Sequence, residues 1–227
     1  TGCSSGFGKE IAKQALEKGD YVIATARNSN NIDIEHDNLL KLQLDVTKKD
    51  QITEVAKEAI DWKGKIDVLV NNAGFGNVGS IEETPDEHWK QLYAVNVFGL
   101  IDVTRAFLPQ MRKQKSGNII NFSSVAGLLS MPGFGPYCST KYAVEGISDA
   151  LAQEVGPLGI KVTVIEPGAF KTKFAGNIIQ ADIGEDYQAT AGETAKMMMS
   201  IEETAPGDPV KAAKVVYDVT EMSKPPL

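Results

Sequence analysis

Short, mostly apolar runs, spaced by helical stretches, constrain this chain more than any other feature. The runs cover residues 21–26, 39–44, 66–70, 119–122 and 160–165. A strand apolar throughout is buried on both faces, and such strands belong to a parallel sheet covered by helices. Between the runs lie amphipathic segments: Ile11, Ala12, Ala15 and Leu16 share one face, as do Ile52, Val55, Ala56, Ala59 and Ile60. The expected fold is α/β, a single-domain Rossmann-type doubly wound parallel sheet with helices on both faces. At 227 residues, with no repeat, low-complexity tract or linker, the chain reads as one domain, 1–227.

Ligands of such sheets sit outside the carboxyl ends of the strands. The chain opens with Thr1-Gly2-Cys3-Ser4-Ser5-Gly6-Phe7-Gly8, feeding directly into the first helical pattern. A glycine turn at a helix N-terminus offers backbone N–H groups and a positive dipole end to a pyrophosphate. The spacing is G-x-x-x-G-x-G, unlike the common dinucleotide fingerprint. Arg27 follows the run 21–26, where an acid would bind a free ribose 2′-hydroxyl. A guanidinium there matches a 2′-phosphate, so NADP(H) is the expected cofactor. Asp45 and Val46 end the next run, and Asn72, Ala73 and Gly74 follow the one after.

Thr84-Pro85-Asp86-Glu87 reads as a capping box opening a long helix to about residue 113. Asn96 lies inside it, either as a satisfied buried amide or as a group that holds the backbone open for a water. Ser123 and Ser124 close the run 119–122, and an apolar loop with Leu128, Leu129, Met131 and Phe134 follows. Next come Tyr137 and Lys141, four residues apart and so on one face of a helix. An ammonium beside a phenol lowers its pKa from about 10, and a phenol tuned that way exchanges protons near neutral pH.

Residues 173–205 carry no strand pattern but hold Met197, Met198 and Met199. Methionines in such a segment are core filler or an adaptable cover over an apolar substrate, and it reads as the substrate loop. His36 and His88 fall at polar positions and suggest solvated roles; Cys138 has no histidine near it in sequence. Net charge is −7, which argues against nucleic acid as a partner. The two cysteines form no disulfide or zinc pattern, so a cytoplasmic setting is expected. No apolar run reaches the roughly 18 to 20 residues of a membrane span.

These motifs, in this order, resemble the classical short-chain dehydrogenase/reductase family. The matches are Thr1-Gly2-x-x-x-Gly6-x-Gly8, Asn71-Asn72-Ala73-Gly74, Asn96, Ser124, Tyr137-x-x-x-Lys141 and Pro167-Gly168-x-x-x-Thr172. The opening octet also looks like the hydroxysteroid and retinol dehydrogenase branch. The resemblance implies hydride transfer between NADP(H) and a ketone, aldehyde or secondary alcohol. Tyr137 would be the general acid/base and Ser124 would bond the substrate oxygen. Lys141 would lower the phenol's pKa and bond the nicotinamide ribose, and Asn96 would anchor a water behind it. For the cofactor it implies Gly2, Ser4, Ser5, Gly6, Phe7 and Gly8 at the pyrophosphate, with Asp45 and Val46 at the adenine. Asn72, Ala73 and Gly74 would line the adenosine side, and Pro167, Gly168 and Thr172 the nicotinamide. Many NADP-preferring members carry a basic residue where this chain has Ser5, so the NADP expectation rests on Arg27.

The resemblance also implies a homodimer or homotetramer, a short strand ahead of Thr1 and a seventh strand after Leu227, so the native chain is expected to extend past both ends. An epimerase or dehydratase on the same fold, or a catalytically idle NADP-binding regulator, are the alternative readings. The set Asn96, Ser124, Tyr137 and Lys141 argues against the idle one.

Overall fold

The structure, a computed structural model, describes residues 1–227. The elements follow the expected alternation. Helix α1 (Gly6–Glu17) leads into β1 (Val22–Ala26) and β2 (Leu39–Gln43), then α2 (Lys49–Lys63), β3 (Val68–Asn71) and a two-residue β4 (Asn77–Val78). Helices α3 (Asp86–Tyr93) and α4 (Leu100–Gln114) precede β5 (Gly117–Phe122), α5 (Gly135–Val155) and β6 (Ile160–Ile165). A two-residue β7 (Ile179–Gln180), α6 (Glu193–Thr204) and α7 (Pro209–Glu221) complete the chain.

Every ladder is parallel: β1 with β2, β3 with β5, β5 with β6, and the small pair β4 with β7. Residues 1–3 lie between β1 and β3. The Thr1 amino group donates to Val70 O at 2.8 Å, and Cys3 N–H donates to Thr25 O at 2.8 Å.

Strand β5 shows how the two faces are filled. Ile119 joins the core formed with α2 and α4, through Val55, Val103, Phe107 and Met111. Ile120 and Phe122 pack on the other face against Val216 and Val219 of α7. Burial of each such side chain contributes roughly 1.5–3 kcal/mol. Asn121 breaks the apolar run and is satisfied across the sheet. Its Nδ2 donates to Ser148 Oγ on α5 at 2.9 Å, and its Oδ1 accepts from Asn71 Nδ2 at 2.9 Å. Asn71 Nδ2 also donates to Thr104 Oγ1 on α4 at 2.9 Å. A buried polar chain therefore ties α4, β3, β5 and α5 together.

Helices α3 and α4 form one rod, joined by a π-helical turn over Ala94–Gly99. Such widened turns mark functional positions, and Asn96 lies within this one. The 29-residue rod Asp86–Gln114 has a mean hydropathy of 1.2 in its most apolar window. By length and composition alone it passes for a membrane span. It is a helix of this domain: Leu92, Val103, Phe107 and Met111 are buried in the cores. The expected capping box is not formed. The rod begins at Asp86, no side chain caps it, and Thr84 Oγ1 instead donates to Ser80 O at 2.6 Å. Asp208 does cap α7, accepting from Val210 N at 2.8 Å.

Residues 173–205 are more ordered than their sequence suggests. The segment contributes β7 to a ladder with β4 and carries its methionines on α6. Met198 is buried, while Met197 and Met199 are exposed. Met198 is therefore core filler, while Met197 and Met199 lie at the surface.

Candidate active site

The glycine turn lies at the carboxyl ends of β1 and β3, and its shape depends on missing side chains. Gly2 and Gly6 adopt φ of +72° and +55°. A Cβ at Gly8 would stand 2.5 Å from Gly2 O and 2.6 Å from Asn72 Nδ2, so only glycine lets α1 approach the turn. Helix α1 has no side-chain cap at Ser5 and no acid in its first turn. Its N–H groups and dipole end are therefore free for an anion.

Several expected cofactor residues act through the backbone or through positioning. Asn72 turns its amide to the loop: Nδ2 donates to Thr1 O at 2.8 Å, while Thr1 Oγ1 accepts from Asn72 N and Ala73 N at 3.1 and 3.0 Å. Phe7 faces away from the turn and packs its ring on Phe122 and Phe170, with centroids 5.4 and 5.0 Å away. Val46 is core, filling the space left by Gly99. Only the main chains of Phe7 and Val46 remain for a ligand.

Asp45 Oδ1 accepts from Thr47 N and Thr47 Oγ1 at 2.9 and 2.7 Å. Burial pushes its carboxyl up, but the Thr47 hydrogen bonds, with Lys48 and Arg27, hold it below its ordinary value. Arg27 is exposed at the end of β1, close enough to Asp45 to contribute. Gly168 faces open space, and Thr172 lies beside Gly6, 3.5 Å from where a Cβ would be. Pro167 O accepts from Val125 N at 3.0 Å and from Ser124 Oγ at 3.4 Å.

The structure brings Tyr137, Lys141, Ser124 and Asn96 to the strand ends. Asn96 is a satisfied buried amide. Its Nδ2 donates to Phe75 O at 3.0 Å and Thr140 Oγ1 at 3.1 Å, and its Oδ1 accepts from Phe75 N at 3.2 Å. A Cβ on Gly74 would lie 3.1 Å from Asn96 Oδ1 and 3.8 Å from Lys141 Nζ, so Asn96, Gly74 and Lys141 are neighbours. Lys141 is buried; Nζ donates to Phe122 O at 2.8 Å and stands 5.6 Å from the centre of the Tyr137 ring. Ser124 Oγ accepts from Ala126 N at 3.1 Å, capping a short turn.

The pKa expectation for Tyr137 is reversed. Burial drives the phenol well above its ordinary value, opposed only in part by the Ser124 hydroxyl. The ring lies between Phe134 and Phe174, at 4.8 and 5.6 Å, and Lys141 spends its ammonium on a carbonyl. Burial also lowers Lys141 to about 8, with Glu145 acting the other way.

The sequence reading missed Phe174, which packs on Tyr137, and Gly76, which with Ile178 seats that ring. Gly76 lies just beyond Asn72-Ala73-Gly74, but Phe174 comes from a distant segment that no local spacing joins to Tyr137. His36 Nδ1 accepts from Asn38 N at 3.0 Å at the surface. His88 is half-buried, its Nδ1 3.4 Å from Asn77 Nδ2, so its expected solvated role is only partial. Cys138 is free and buried.

An anion cradle at the strand ends, continuous with a tyrosine–lysine–serine cluster, defines an oxidoreductase that takes a nicotinamide dinucleotide. Comparison agrees. The profile described as short chain dehydrogenase matches residues 1–182. Oxidoreductase BOA17 of Botryotinia fuckeliana is 38% identical over 100% of this chain and 85% of its own. The 3-ketodihydrosphingosine reductase of Bacteroides thetaiotaomicron is 36% identical over 100% of this chain and 84% of its own. A short-chain dehydrogenase structure from Streptomyces avermitilis superposes with a TM-score of 0.93 at 42% identity, covering 100% of this chain and 85% of that one. Both cofactor types occur among similar folds. ElxO holds NADP (28% identity, TM-score 0.82, 100% and 92% covered), and a Brucella melitensis 3-ketoacyl reductase holds NADH (25%, 0.81, 96% and 88%). The chain belongs to the short-chain dehydrogenase family.

Proposed function

We propose that this protein uses NADPH to reduce the carbonyl of an apolar small molecule, with Tyr137 as general acid. The observation that carries this reading is the buried phenol of Tyr137 beside Ser124, one helical turn before Lys141. A phenol held above its ordinary pKa keeps its proton through neutral pH, which suits donation to a carbonyl oxygen better than abstraction from an alcohol.

The residues divide the work. Ser124 donates a hydrogen bond to the carbonyl oxygen and stabilises charge as it develops there. Tyr137 passes its proton to the same oxygen. The buried ammonium of Lys141 offsets the charge left on the phenol, and Asn96 holds the Gly74–Phe75 main chain beside it. The dinucleotide, when bound, supplies two electrons as hydride to the carbonyl carbon. The uncapped N-terminus of α1 receives its pyrophosphate. Exposed Arg27 supports NADP over NAD, since no carboxylate takes its place at the end of β1.

An apolar substrate is supported by the surroundings of Tyr137: Val78, Phe134, Phe174 and Met198 are all in its cluster. The name of the Bacteroides relative, 3-ketodihydrosphingosine reductase, supports reduction of a ketone. Residues 173–205 are the substrate loop in this reading. The test is NADPH consumption against a panel of ketones and aldehydes, with Tyr137→Phe as control. Binding of NADPH with no turnover of any carbonyl would sink the proposal.

A further inference from the structure

We propose that Phe174, seated on Gly76, is the specificity-determining wall of the substrate site. This rests on the reading of Tyr137 as the group that meets the substrate oxygen. Two aromatic rings bracket Tyr137, and they differ in how they are held. Phe134 precedes α5 and is fixed to it: Cys138 N donates to Phe134 O at 2.8 Å. Phe174 belongs to the excursion between β6 and α7. The base of that excursion is tied where Lys171 N donates to Gly207 O and Gly207 N donates to Ala169 O, at 2.9 and 3.1 Å. Its far side is held by the β4–β7 ladder and by Thr194 Oγ1 on Pro132 O at 2.7 Å. Phe174 is thus the bracket on a separable element.

Its position depends on a missing side chain. A Cβ at Gly76 would stand 2.9 and 3.3 Å from the Phe174 ring and 3.1 Å from Ile178. The ring occupies the slot that glycine leaves. A methyl group there would overlap the ring and force it to shift, in this proposal towards Tyr137, whose ring centre lies 5.6 Å away. Gly76 therefore sets how far Phe174 withdraws, and the pair sets the width of carbonyl compound admitted. Hydrophobic walls discriminate by size at about tenfold or more per carbon.

The experiment compares acetophenone with the broader 2-acetylnaphthalene. Each is read as kcat/KM with NADPH and as Kd by calorimetry without cofactor. In Phe174→Ala, preference for the broader ketone rises about tenfold. In Gly76→Ala it falls by a similar factor, and in the double variant it returns to the Phe174→Ala value, because no ring remains to be displaced. The same order in Kd, without turnover, upholds the inference while refuting the proposed reduction. Equal changes for both ketones in Phe174→Ala overturn it, as does a double variant that keeps the Gly76→Ala preference. If Gly76→Ala does not fold, as read by thermal melting, the Phe174→Ala ratio decides alone.

Discussion

The Lys141 ammonium is hydrogen-bonded to the Phe122 carbonyl, at 2.8 Å, and not to the phenol of Tyr137 one turn earlier. The lysine is anchored by β5 while the tyrosine is enclosed by the Phe134 and Phe174 rings, so the two groups answer to different parts of the fold. Proton donation should follow Tyr137 and its pH limit should follow Lys141. Tyr137→Phe is expected to lower kcat for reduction by about 10²- to 10⁴-fold with NADPH affinity unchanged. In the unaltered protein, kcat should be flat through neutral pH and fall as Lys141 loses its proton near pH 8. A rate that rises through pH 8 contradicts the assignment.

Lys141 should also cost stability. Its folded pKa, about 8, lies below the ordinary 10.5. Between those values the unfolded chain holds a proton the folded one has lost, so stability increases with pH across that window. Below pH 8 the penalty is fully present. Lys141→Met should therefore be more stable than the parent at pH 7, by up to roughly 3 kcal/mol, while losing activity. Urea unfolding at pH 7 and pH 10 checks this; the difference between the two proteins should shrink at the higher pH.

Arg27→Ala should separate the cofactors. Loss of a charge-assisted contact to a 2′-phosphate weakens NADPH about 10- to 100-fold, with NADH nearly unaffected. Equal losses, measured by fluorescence titration, would mean that Arg27 does not read the 2′-phosphate.

The polar chain across the sheet predicts a stability effect remote from the glycine turn. Asn121→Leu leaves Ser148 Oγ without its donor and removes one acceptor of Asn71. A cost of about 1–3 kcal/mol in urea unfolding is expected. Ser148→Ala in the same background should then add little, because the partners are already separated.

What could be read from the sequence was local. The strand–helix alternation, the turn entering α1 and the Tyr137–Lys141 face depend on residues a few positions apart, and all three are in the structure. Contacts across long separations stayed hidden. The ladder of β4 with β7 is two residues long on each side, too short for any periodicity. The Phe122 and Phe170 rings on which the Phe7 side chain packs lie far along the chain. Thr84 carried the right capping pattern, and a nearby carbonyl won its hydroxyl. The phenol of Tyr137 was misjudged for a similar reason. Its partner in sequence is a cation, but its surroundings in space are rings.

The wide turn over Ala94–Gly99 acts as a phase adjuster in the long rod. A π turn amounts to one residue inserted into an α-helix. Deleting a residue there would restore a regular helix, but would rotate α3 against α4 by about 100°. Leu92 would swing away from the cluster around Tyr137 if Phe107 and Met111 kept their places in the core. Sheet core and substrate wall are thus indexed to each other by a single surplus residue, and an insertion or deletion within Ala94–Gly99 should be tolerated far less than one in the surface turn that follows α4.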